Sequence, residues 1–145
     1  MRELKPNAKR SKGRDAHRAK YDAYIQSPEW FRRREEWAET ERVRLGTDAL
    51  VCTCCKQSWT LKRGHLHHVT YERLEHEAHE DLWAVCEPCH MRLHELMDSS
   101  KSWRKLPRTL ANEFALSALR SEVSGETKTQ RRRRAVDGLQ YYLKR

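Results

Sequence analysis

Apolar positions change their spacing several times along the chain, and each change predicts an element. Residues 1–14 show no apolar period and mix basic side chains with Pro6 and Gly13, which predicts a mobile arm. A short helix is expected from near Asp15 to Ile25. Ser27 followed by Pro28 marks the next helix start: the Ser hydroxyl can cap free amides, and proline at the first helical position loses no needed hydrogen bond. That helix is expected to reach Leu45 and stop at Gly46. Its 3.6-residue period puts Trp30, Trp37, Ala38 and Leu45 on one buried face, with Arg32, Arg33, Glu35, Glu36 and Glu39 around the rest.

From Ala49 the pattern breaks into short pieces: Leu50-Val51, a cysteine cluster, His65–Val69, a polar stretch to Glu80, and Leu82–Val85. These predict short strands joined by turns and one longer loop. After Cys89, the spacing of Met91, Leu93, His94 and Met97 predicts a helix of about three turns. A polar linker is then expected to Pro107, with Thr109 capping a helix that carries Leu110, Phe114 and Ala118 to Val123. Arg131–Arg134 with Val136, Leu139 and Leu143 predicts a basic amphipathic helix. The expected division is a basic arm (1–20), a helical segment (21–48), a core (49–98) and a basic helical extension (99–145).

Composition adds two constraints. Only 37% of the 145 residues are hydrophobic and 35% are charged, against about 45–50% and 25% in ordinary domains, so burial alone gives a thin core. The net charge of +9 is unevenly spread: residues 1–20 carry +6, residues 21–100 carry −5, and residues 101–145 carry +8. A polyanion such as DNA is the expected partner, held by the two basic ends. No run approaches the ~18 apolar residues of a membrane helix, and the N-terminus lacks a secretory apolar block, so the expectation is no membrane partner and a cytoplasmic location. In a reducing compartment five cysteines point to metal binding or free thiols before disulfides.

The cysteines fall into two knuckles, Cys52-Thr-Cys-Cys55 and Cys86-Glu-Pro-Cys89. Two C-x-x-C turns can place Cys52, Cys55, Cys86 and Cys89 around one tetrahedral Zn²⁺, supplying fold energy that the core lacks. Cys54 is left over as a spare thiol. Histidines concentrate between and just after the knuckles. His90 and His94, four apart on a helix, share a face and can share a second metal. On a strand, His67 and His68 point to opposite faces, so one can bind that metal while the other meets substrate or partner.

Leu66-His-His-Val-Thr-Tyr71, Glu77, Asp81-Leu82, Cys86-x-x-Cys-His90 and His94 together resemble the HNH endonucleases of the His-Me finger, or ββα-metal, fold. They are most similar to the small phage and bacterial type with an H-H-x-T-Y, D-L, C-x-x-C-H-x-x-x-H core. Tyr24-Ile-Gln-Ser-x-x-Trp30 with Arg34 resembles the segment that often precedes this core, so the resemblance covers about residues 21–95. It implies an α+β fold, a small ββα-metal unit stapled by a four-cysteine structural zinc and flanked by helices. It also implies that His67, His90 and His94 hold a catalytic divalent metal and that His68 is the general base. Asp81, at the family's middle position, would orient that base and brace the loop.

Hydrolysis of a phosphodiester needs an activated water, neutralisation of charge on the phosphorane oxygens, and a stabilised leaving oxygen. Neutral His68 can accept the water proton, its ring fixed by a partner such as a strand carbonyl. Three imidazoles favour Zn²⁺, Mn²⁺ or Ni²⁺ over Mg²⁺. Arg63 and Arg92 are candidates for phosphate contact, and Arg131, Arg132, Arg133 and Arg134 for DNA binding. The expected function is therefore a metal-dependent DNA endonuclease of a bacterial or phage-infected cell, in which His68→Ala abolishes nicking and leaves folding and zinc intact. A non-catalytic zinc-stapled DNA-binding module shares the cysteines and the basic ends, and a toxin-type nuclease with an immunity partner shares the histidines as well. The pattern specifies neither a target sequence nor an oligomeric state.

Overall fold

A computed structural model describes residues 8–125. The Arg131–Arg134 segment therefore lies outside the described residues. The elements in order are α1 (Ala8–Tyr24), α2 (Pro28–Leu45), β1 (Leu50–Val51), β2 (Ser58–Trp59), β3 (Gly64–His68), β4 (Leu82–Cys86), α3 (Glu87–Asp98), α4 (Lys101–Lys105) and α5 (Arg108–Val123). A one-turn 3₁₀ segment, His79–Asp81, leads into β4. The class is α+β, with two small antiparallel sheets, β1–β2 and β3–β4.

The β3–β4 hairpin is the centre of the molecule, and the period of two sorts its side chains between two cores. Its register pairs His67 with Trp83 and His68 with Leu82. Leu66, Leu82 and Ala84 face α2, where they pack with Tyr24, Trp30, Trp37 and Trp59. Val85, on the opposite face, packs with Cys52, Leu93, Met97, Ala111, Ala115 and Leu119 from the first knuckle, α3 and α5. Strands open on both faces to helices must be apolar on both, and the run Leu82–Val85 is.

Local signals set the ends of α2. Ser27 Oγ accepts from the Trp30 amide at 3.2 Å, Pro28 is the first helical residue, and Gly46 at φ 65° closes the helix in the left-handed region. Leu45, expected on the buried face, is 46% exposed in the last turn. Three side chains of α2 tie it to the hairpin and its loop: Arg34 donates to the carbonyls of Leu61 (2.6 Å) and Gly64 (3.2 Å), Arg33 to that of Glu77 (3.1 Å), and the Trp37 indole to that of His79 (3.0 Å).

Three expectations are corrected. Residues 8–14 are helical, part of α1, and do not belong to an arm without structure. An exposed helix needs no apolar stripe: residues 12–20 are all exposed, and α1 is held by Tyr21, Tyr24, a His17–Tyr71 ring contact, and ion pairs of Arg18 with Asp22 (3.9 Å) and Lys20 with Glu75 (3.1 Å). The expected linker before Pro107 contains α4, capped by Ser100, whose Oγ accepts from the Trp103 amide at 3.3 Å. Pro107, not Thr109, stands at the cap position of α5.

Gly64 lets the Trp59 indole pack directly against the β3 backbone. Trp59 Nε1 donates to the carbonyls of His65 and Val85, both at 3.1 Å, locking β2 onto the hairpin. A Cβ at Gly64 would overlap that indole ring. Gly64→Ala is expected to destabilise by ~3 kcal/mol, read as a lower urea midpoint with unchanged slope.

Candidate metal centres and the histidine site

The two knuckles meet because β1–β2 is a tight ribbon lying beside β4. Thr53 donates its amide to Ala84 O at 2.8 Å, and the Cys86 amide donates to Cys52 Sγ at 3.3 Å. One donor atom from each of Cys52, Cys55, Cys86 and Cys89 then lies within 4.8 Å of every other. Cys55 Sγ and Cys86 Sγ are 3.7 Å apart. A tetrahedron of Zn–S bonds of ~2.3 Å has an S···S edge of ~3.8 Å, so the donor set fits a zinc ion. None of the five thiols is in a disulfide. Burial pushes the Cys86 and Cys89 thiols up, whereas hydrogen bonding from Cys54 draws Cys52 down to about 3. A bound cation would hold the Cys86 and Cys89 sulfurs as thiolates against that burial. Cys54 is buried outside this set, and its own thiol is pushed up by its bond to Cys52 and by burial.

The second donor set joins strand to helix. His67, on the α3 side of β3, converges with His90 and His94 from the first two turns of α3, again with one donor atom each within 4.8 Å. His90 Nε2 and His94 Nε2 are 3.2 Å apart, matching the ~3.3 Å edge of a tetrahedron with metal–nitrogen bonds of ~2.0 Å. Burial lowers all three, His67 to about 3 and His90 to about 4, with neighbouring charges adding to the effect. They are thus neutral imidazoles with lone pairs available to a metal. His65 is exposed and stacks on His90, with ring centroids 4.5 Å apart.

Two residues of this centre were not anticipated, and both come from α5. Asn112, fully buried, bonds His67 Nε2 through its Oδ1, while its Nδ2 donates to Val69 O and Arg108 O, both at 3.0 Å. Those two carbonyls fix the amide orientation. His67 must therefore carry its proton on Nε2, and Nδ1 is the nitrogen left for a metal. Arg108 donates to His68 O at 2.9 and 3.2 Å and lies over the Tyr71 ring at 4.0 Å. Asn112→Ala is expected to loosen metal binding at the imidazole set by ~10–100-fold, measured by titrating the zinc-loaded chain with Mn²⁺ or Ni²⁺.

His68 faces the opposite way, as strand alternation requires. It is 2% exposed, stacked on Trp30 at 4.8 Å, with Tyr21 and Tyr71 against its ring. Its Nε2 is 3.0 Å from Glu77 Oε1, so a loop carboxylate and not a strand carbonyl fixes the ring. Its Nδ1 is buried without a hydrogen-bond partner among the described residues. Glu77 also accepts from Tyr24 Oη at 2.9 Å and from the Glu75 amide at 3.2 Å. Burial pushes the Glu77 carboxyl up, but these donors and His68 outweigh it and hold it below the ordinary range.

Among the described residues no hydrogen bond joins Asp81 to His68. Asp81 takes a two-pronged bond from Arg73, 2.7 Å from Nε, and accepts the Ala78 amide at 2.8 Å, bracing the loop between β3 and β4. Those bonds, Arg73's foremost, lower its pKa against burial. Arg92 is occupied by Glu122 at 2.7 and 3.0 Å and by Glu95 at 3.1 Å. Arg63 is exposed, with no carboxylate pairing it among the described residues.

The geometry defines a small α+β domain with one four-thiol and one three-imidazole cluster, each shaped to hold a metal ion. Comparison with protein-family models, with curated proteins and with solved structures returns no match to this chain. Among the described residues no helix is long and apolar enough to cross a membrane.

Proposed function

We propose that this chain is a metal-dependent DNA endonuclease of the HNH type, on a ββα-metal fold formed by β3, β4 and α3. The observation that carries the reading is the contrast between the two donor sets. Four thiols make a closed structural site, whereas three imidazoles leave a coordination position open, as catalytic sites do. A divalent ion bound by His67, His90 and His94 supplies charge neutralisation at the phosphate oxygens and at the leaving oxygen.

The chain's own residues do the rest. Asn112 holds the His67 ring in the tautomer that presents Nδ1. Glu77 accepts the Nε2 proton of His68 in a hydrogen bond, which leaves the lone pair on Nδ1 to take a proton from water. Tyr21, Trp30 and Tyr71 pack around the His68 ring, and Nδ1 is buried, so the proton transfer needs an opening that admits water. Tyr21 is carried by α1, three residues before the buried Tyr24 that bonds Glu77. Asp81 and Arg73 keep the loop that carries Glu77 in place.

The enclosure of His68 favours one alternative, a zinc-stapled DNA-binding module in which His68 and Glu77 are a buried structural pair. Incubating supercoiled plasmid with the zinc-loaded chain and Mg²⁺, Mn²⁺, Ni²⁺ or added Zn²⁺ separates the readings. Nicked or linear product that vanishes in His90→Ala supports the nuclease, and intact plasmid with every ion supports the binding module.

A further inference from the structure

A cleft of about 920 Å³ opens between α2 and the turn from β2 to β3. Its walls include Phe31, Arg34, Lys62, Arg63, His65 and His90, so it runs up to the imidazole cluster, sharing His90 with it. Three of these residues are cations, and none is paired with a carboxylate among the described residues. Elsewhere on α2, Arg32 pairs with Glu29, Arg42 with Glu39 and Arg44 with Glu41, and Arg33 donates to the Glu77 carbonyl. Glu87 is the acidic side chain on the cleft wall. Arg34 is anchored to the carbonyls of Leu61 and Gly64, which fixes the turn presenting Lys62 and Arg63. Phe31 is 53% exposed, an aromatic ring left in water on the same wall.

We propose that this cleft holds an unpaired stretch of the DNA strand adjoining the scissile phosphate, with Lys62 and Arg63 on its phosphates and Phe31 stacked on a base. The assignment rests on the nuclease reading and adds the form of the substrate. Cations spaced along a groove with an aromatic ring between them are the chemistry of single-strand binding, because every base has a face to stack. A paired duplex offers base edges in its grooves and keeps base faces inside the stack, so a whole base face is open to Phe31 where the strand is unpaired. Continuity with His90 places that stretch beside the reacting phosphate.

The test uses the full zinc-loaded chain with no added divalent ion and follows the fluorescence anisotropy of a labelled single-stranded DNA 12-mer and of a hairpin duplex of equal length. Phe31→Ala is expected to weaken single-strand binding by about tenfold, with its salt dependence and the duplex affinity unchanged. Lys62→Ala with Arg63→Ala is expected to reduce the slope of log affinity against log salt by ~1.4, the value for two phosphate contacts on a single strand. All three side chains are exposed or at the rim, so folding is retained and is checked by the melting curve. Wild-type affinity in both variants, tighter duplex than single-strand binding through these residues, or equal displacement by polyglutamate would each overturn the assignment. The two readings fail separately. Plasmid left intact with cleft-dependent strand binding removes the nuclease reading alone. Normal cleavage with binding indifferent to the three side chains removes the strand site alone.

Discussion

Cys86→Ser is expected to release the zinc and abolish cooperative folding of the region from β1 to α3. Cys86 ends β4 and begins α3, and its thiol belongs to the four-sulfur cluster beneath the second core. Structural zinc sites contribute ~10–16 kcal/mol of apparent folding free energy at neutral pH, whereas a whole domain has only ~5–15 kcal/mol of net stability. Loss of one thiolate in four therefore consumes the margin of a chain whose hydrophobic fraction is 37%. The zinc held by the four thiols should be lost, and the far-UV circular dichroism melt should lose its sigmoidal transition. Cys54→Ser is the control. Its thiol packs in the same core but lies outside the cluster, so zinc is retained and stability falls by about 1 kcal/mol. An unchanged melting temperature in Cys86→Ser would show that the cluster is not a staple.

The second large effect is on turnover. His90→Ala and His94→Ala are each expected to lower plasmid cleavage by ~10³-fold or more while the chain stays folded, since each removes one of three donors from a position that charge stabilisation depends on. Both are only half-buried on α3, so truncation leaves no large cavity. His68→Ala, by contrast, is expected to lower stability as well as activity, because the ring is buried. It removes the ring from the Trp30 stack and one donor from the buried Glu77 carboxylate, which keeps Tyr24 Oη and the Glu75 amide, at a cost of ~2–4 kcal/mol. Lost activity in that variant would conflate chemistry with folding. His68→Asn retains a donor toward Glu77 and is the informative variant: cleavage should be lost at a nearly wild-type melting temperature. Cleavage within a few-fold of wild type would remove His68 from the mechanism.

The local part of this architecture was legible in the chain because short-range rules govern it. Ser27-Pro28 and Gly46 bound α2, two C-x-x-C turns define the thiol cluster, and i, i+4 spacing puts His90 and His94 on one face of α3. Alternation along β3 shows that His67 and His68 diverge. What alternation leaves open is which face each receives, because that depends on helices packed from distant parts of the chain. Asn112 reaches His67 across 45 residues and Arg108 reaches His68 across 40, and no motif links them. They meet only when Ala111, Ala115 and Leu119 dock α5 against α3. The partners within the loop were reassigned for a related reason. Glu77 and Asp81 are both acidic and four apart, and only the folded loop, with Arg73 turned onto Asp81, decides that Glu77 takes the histidine.

The sequence by itself determined the four-thiol set, the His90–His94 pair and the strand-helix frame that carries them, since residue identity and spacing are properties of the chain. The tertiary structure alone decided the burial of His68, the tautomer of His67 and the cationic cleft at His90. Each of these depends on which distant side chains exclude water or supply a hydrogen bond, and that is settled only when the two cores close around the hairpin.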